Sequence, residues 1–392
     1  MTGAHPPFAF ARRTAVALSA IAGLAALWGA LARLGWAADA WSAREALWHG
    51  ALAVLGFLGT MIAAERATAL GRPWAFGAPI ATGLGAIALL ASPSPRSAQL
   101  LFLSGALVLV AIFAVVYRLQ PALHNAVLGI GSLLWVVSIA LWFGGFPLYR
   151  VAPWWAGMLV ATIVGERLEL SRLVGLSPRA RGSFVAGIAV HVGGLVLSVA
   201  WFGWGVRVAG LGLVALAAWL VRHDAARRTI HGPPLPRFMA ACLLSGYLWL
   251  AAGGAAWAWF GGVIAGPGHD AMLHAVFVGF VMSMVFAHAP VILPAVLGGS
   301  VEYRPRFYAH LALLHASLVV RILGDLVGAE EAVRWGGLLG AAAILVFVVS
   351  TATARLGKPL ARPIPLDGGG RSPRHRGLRS VAPGRADGGR AP

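Results

Sequence analysis

The residues with the most chemistry to offer are histidines lodged where polar groups are scarce. The segment Met272–Pro294, "MLHAVFVGFVMSMVFAHAPVILP", is apolar enough to lie in hydrocarbon, yet it holds His274 and His288 and carries Pro290 and Pro294. An imidazole in such a setting ligates a metal, carries a proton or hydrogen-bonds a neighbouring helix. Fourteen positions on an unbroken α-helix leave the two rings about 40° apart and separated by roughly 21 Å of rise. They would then share a face near opposite membrane surfaces, the spacing at which one helix gives a ligand to each of two stacked haems or two separate metal sites.

Those rings need elements to hold them, and composition says which. The chain has 392 residues, 59% hydrophobic and 11% charged, with 16 Trp and 51 Gly. So little charge cannot cover a soluble protein, and the long unbroken apolar runs are helical, not barrel strands. The expected class is an all-α polytopic integral membrane protein of about twelve spans, whose partner is the lipid bilayer. Spans are expected near Thr14–Trp36, Glu45–Leu70, Trp74–Ala91, Ala98–Leu119, Ala122–Phe143 and Val151–Leu170. Six more follow near Gly182–Phe202, Val206–Arg222, Arg237–Phe260, Ala271–Gly298, Phe307–Val327 and Val333–Ala354, the split around Trp204 being the least defined.

Charge gives direction. Of 31 Lys and Arg residues, all but Arg33, Arg44, Arg96, Arg150, Arg207, Arg321 and Arg334 fall on one side of this topology. The positive-inside rule then puts both termini in the cytoplasm, in a bacterial-type inner membrane. The net charge of +18 reads as topology and not as nucleic-acid binding. Residues 1–356 form one transmembrane domain, and 357–392, rich in Arg, Pro and Gly, a disordered basic cytoplasmic tail. The first span resembles a signal peptide but is long enough to stay as an uncleaved anchor. The lone Cys242 excludes an intrachain disulfide and cysteine-based clusters, and without CxxCH any haem is held non-covalently, as b type.

Depth pairs the histidines. His49 opens the second span and His274 the tenth, both entering from outside, so they share an outer level. His288 precedes the tight turn at Gly298 by ten residues and His315 follows Arg306 by nine, which matches them at an inner level. His310 lies closer to that turn, on one face with Ser317 and Arg321, a polar stripe suited to an anionic group such as a haem propionate. Met282 and Met284 offer thioethers but read more simply as packing. His191 and His124 read as hydrogen-bonded structural groups. "GTMIAAERATAL" and "ATIVGERLELSRL" both set Thr ahead of a Glu–Arg pair, Glu65–Arg66 and Glu166–Arg167. Either a duplicated unit or similar helix-end chemistry would give this echo, the latter being the simpler reading.

Two segments resemble the NnrS family, polytopic haem- and copper-containing membrane proteins tied to nitric-oxide metabolism. "WHGALAVLGF" (Trp48–Phe57) is similar to that family's W-H-x-H-E-M-x-x-G-F, with Trp48, His49, Gly56 and Phe57 in place but Ala51 and Leu52 where its second His and its Glu stand. "HAVFVGFVMSM" is similar to H-A-x-T-V-G-x-I-x-x-M through His274, Ala275, Val278, Gly279 and Met284. The later H-T-G-R is absent, while Arg321 has a plausible counterpart. The resemblance implies haem, and copper if the lost His is compensated, in nitric-oxide or nitrogen-oxide respiration or stress. The combined expectation is cofactor binding by His49, His274, His288 and His315, with His310 in reserve and Arg321 as a partner. The rival is a proton-coupled secondary transporter in which His274, His288, Glu65 and Glu166 titrate. A cofactor-free assembly factor is a third reading.

Overall fold

The computed structural model describes residues 6–37, 40–171 and 175–355. The expected basic tail lies outside the described residues. Among those described there is no strand, and eleven helices are long and apolar enough to cross a membrane. In order, the helices are α1 (Pro6–Arg33), a span built of α2 (Ala40–Ala51), a π-helical segment π1 (Leu52–Gly59) and α3 (Thr60–Leu70), then α4 (Gly77–Ala91), α5 (Arg96–Leu119) and α6 (Leu123–Phe143). After α7 (Leu148–Ser171) come α8 (Pro178–Ala200), α9 (Phe202–His223), a single turn α10 (Ala226–Thr229) and α11 (Pro234–Phe260). The last are α12 (Pro267–His274) with π2 (Ala275–Met282) and α13 (Ser283–Leu297), then α14 (Phe307–Val327) and α15 (Glu330–Arg355). The break expected around Trp204 falls at Trp201.

The twelfth expected span corresponds to α7, which is long enough at 24 residues but less apolar. Its burial explains why. Every side chain from Val151 through Gly165 is buried, so α7 meets protein on all sides and needs no lipid-facing stripe. Trp154, Trp155 and Thr162 are buried there by neighbouring helices, and the Thr162 hydroxyl donates to the Met158 carbonyl.

The Glu–Arg echo extends further than two segments. Gly56–Glu65 reads GFLGTMIAAE, Gly157–Glu166 reads GMLVATIVGE, and Gly279–His288 reads GFVMSMVFAH. Glycine, a branched or leucine side chain, and small residues recur at matching positions. The packing repeats too: Gly23 of α1 lies against Phe57, Gly131 of α6 against Met158, and Gly246 of α11 against Phe280, and those three partners are equivalent in the alignment. The chain is thus three four-helix units (α1–α5, α6–α9, α11–α15), each with its second span carrying the repeated segment. Adjacent units meet where α5 packs on α6, α9 on α11 and α15 on α1. The second spans touch one another, α3 against α13 and α7 against π2. This favours the duplication that the echo left open.

Pro290 and Pro294 do not break their helix. α13 runs through both to Leu297, as neighbouring helices in a bundle allow. The interruption lies upstream, in π2, and a matching one, π1, follows His49.

Candidate functional site

The outer site starts from one helical turn of α12. His274 Nδ1 donates to the Asp270 carbonyl at 2.9 Å and lies 3.2 Å from that residue's carboxylate oxygen. The carboxylate in turn accepts both arms of Arg321 from α14, at 2.8 and 2.9 Å. This Arg–Asp–His relay crosses two spans and fixes the ring through bonds that are individually directional. His49, from α2, uses the same device: Nδ1 donates to the Ala46 carbonyl at 3.0 Å. A carbonyl only accepts, so each Nδ1 carries a proton, and in the neutral ring Nε2 keeps its lone pair. Among the described residues no hydrogen bond is made to either Nε2. His274, Arg33 and Arg321 all stand within electrostatic reach of His49, as the matching of levels required.

The π segments explain the siting. A π-bulge adds about one residue to a turn, so it turns the helix beyond it by roughly 100° relative to an unbroken α-helix. The shared face expected for His274 and His288 is therefore not observed. His274 looks toward α2 and α14, whereas His288, beyond π2, looks toward Glu166 and Arg167 of α7 and Asp224 after α9. Its Nδ1 donates to the Met284 carbonyl at 2.7 Å and its Nε2 is buried without a partner.

His315 does not meet His288. Trp249 Nε1 donates to its Nδ1 at 2.9 Å, and its Nε2, which must then carry the proton, donates to Ser245 Oγ at 2.9 Å. The lone pair a metal would need is taken, by residues of α11 that the depth argument could not see. His310 is ringed by Phe238, Phe286, Phe307 and Phe347, with neither nitrogen bonded. The stripe expected with Ser317 and Arg321 is likewise not a free anion site, since Ser317 bonds the Leu314 carbonyl and Arg321 is spent on Asp270. His191 reads as structural, donating to Ala209 of α9 at 3.0 Å. Among the described residues no three His, Cys, Asp or Glu side chains gather as a metal ion held by protein alone would require.

A second polar centre occupies the inner level. Arg66 of α3 hydrogen-bonds Glu166 of α7, and Glu65 stands 3.4 Å from the same guanidinium. Arg167 forks onto Asp224 at 2.7 and 2.8 Å, with the Asp224 side chain fully buried and the Tyr247 hydroxyl beside the pair. Arg66 is thus paired both within its own span, to Glu65, and across to Glu166 of another. Asp270 and Asp224 were missed in the sequence. Asp270 had a signal, since an acid four residues before His274 shares its face; Asp224 is hidden among the arginines of a basic loop.

Long apolar helices tied together by ion pairs between spans define a polytopic α-helical membrane protein. More particularly, the chain belongs to the family described as "Domain of unknown function (DUF8744)", whose model matches residues 12–356. No curated protein matches it.

Proposed function

We propose that the protein binds haem, which His49 and His274 would hold. The observation that carries this reading is a pair of imidazoles from different spans, within electrostatic reach of each other, each with Nδ1 held by a backbone carbonyl. Two such donors suit a macrocycle that brings four nitrogens of its own better than they suit a bare copper ion, and Ala51 stands where a further histidine would have helped. Haem supplies a one-electron redox couple when bound. Asp270 and Arg321 hold the His274 tautomer and ring direction, and Arg33 adds positive charge beside His49. His288 offers a second free Nε2, whereas His315 would have to give up Trp249. The resemblance to NnrS proteins supports a role in nitrogen-oxide respiration or stress in a bacterial-type plasma membrane.

The test is the visible spectrum of protein purified in detergent after expression with ample haem. A Soret band is expected, lost in His49→Ala and in His274→Ala and kept in His191→Ala. A colourless wild-type protein, or a band indifferent to both substitutions, overturns the reading and favours the transporter.

A further inference from the structure

The inner centre has a charge count that does not close. Three carboxylates, Glu65, Glu166 and Asp224, face two guanidiniums, Arg66 and Arg167. Arg167 and Asp224 satisfy each other through two bonds, and Arg66 is given mainly to Glu166. Glu65 is the surplus acid. It reaches Arg66 only at 3.4 Å, and its side chain is about a quarter exposed, at 24%, so water from the basic side reaches it.

His288 is placed to complete the count. Its Nε2 is buried and bonded to nothing, its Nδ1–H is fixed on Met284, and Glu166, Arg167 and Asp224 all act on it. The three-unit repeat adds an independent reason to group these residues, because positions 65, 166 and 288 are equivalent in the three second spans. The pieces at the repeated position are two acids and one imidazole. Other groups facing the centre are the Tyr247 hydroxyl from α11 and, at its rim, Glu169 of α7, with His124 of α6 3.7 Å from that carboxylate.

We propose that this inner centre is a proton-binding site, in which Glu65, the carboxylate left over by the two guanidiniums, takes one exchangeable proton and the buried Nε2 of His288 is the alternative acceptor. Taking up the proton converts the surplus carboxylate to an acid, or the imidazole to imidazolium, with no redox change. A metal cation fits less well: it would find one nitrogen and carboxylates already claimed by two guanidiniums. The site is independent of whether the outer histidines hold haem.

The test is infrared difference spectroscopy against pH on the full-length protein purified without added haem, which keeps the outcome separate from that of the outer site. A deuterium-sensitive carboxylic-acid carbonyl band that titrates is expected, lost in Glu65→Gln and unchanged in Glu302→Gln. His288→Gln should displace its midpoint, because it removes the other basic group that competes for the same proton. His288→Gln also serves alone if Glu65→Gln does not fold. No titrating band, or a band unmoved by the substitutions in protein that elutes and melts like wild type, overturns the proposal. A midpoint set by sodium or potassium concentration overturns it in favour of a metal-cation site.

Discussion

At the scale of single residues, what distinguishes the histidines is which nitrogen is already spoken for. His49, His274 and His288 each place Nδ1–H on a carbonyl three or four residues back, and their Nε2 atoms stay open. His315 has the opposite tautomer and no open lone pair. None of this is legible in the sequence, because Trp249 and Ser245 reach His315 across nearly 70 residues, while the carbonyl bonds depend on ring rotamers. Level, by contrast, is read by counting residues along apolar runs, and His49 and His274, paired that way, stand within electrostatic reach of each other. Asp270 gives the sharpest residue-scale prediction. Asp270→Asn keeps the backbone carbonyl that holds Nδ1 but loses the charge that Arg321 clamps. Haem titrations of purified protein should show affinity reduced about 10- to 100-fold, the usual effect of losing a partner one shell behind a ligand. His274 itself stays in place, so the Soret band should persist at saturating haem; a variant with wild-type affinity would show that the Arg321–Asp270 pair serves the helices alone.

At the scale of elements, hydropathy found the spans but not their internal irregularities. A π segment has the same apolar composition as the α-turns around it, so π1 and π2 left no trace in the runs, although they decide which way everything beyond them faces. Helix contacts were partly legible through glycine. The α8–α9 crossing offers a matched pair for measurement. A Cβ on Gly194 would lie 2.2 Å from the Ala209 backbone nitrogen, whereas one on its neighbour Gly193 meets nothing within 4 Å. The His191 bond to the Ala209 carbonyl ties the same crossing together. Gly194→Ala must push two backbones apart, at a cost of about 1–3 kcal/mol or more. Gly193→Ala removes only backbone freedom and should be neutral or stabilising by up to about 1 kcal/mol. Thermal melts in detergent should therefore move down for Gly194→Ala and not for Gly193→Ala. Equal shifts would mean that the two helices are further apart than described.

At the scale of the whole molecule, the topology depends on whether α7 crosses the membrane. It is the long helix whose hydropathy falls short, because it lies among other helices and not against lipid. If it did not cross, every later helix would reverse direction. The loop holding Arg227 and Arg228 would then lie outside, against the charge rule. His49 and His274 would also enter from opposite sides, yet they stand within electrostatic reach of each other. Crossing by α7 is what brings the second and tenth spans in from the same side, and the three-unit repeat demands it, since α7 is the second span of its unit. The native chain suits a direct test, because its one cysteine, Cys242, is fully buried and should give no background labelling. Ser94, Ala265 and His231 are exposed positions in three different loops. Single cysteines there should divide cleanly in intact cells treated with a membrane-impermeant maleimide. Ser94→Cys, before α7, and Ala265→Cys, after it, should both react from outside, and His231→Cys should react only after permeabilisation. Reaction of His231→Cys in intact cells, with Ala265→Cys silent until lysis, would mean eleven crossings and would separate the two outer imidazoles by the thickness of the bilayer.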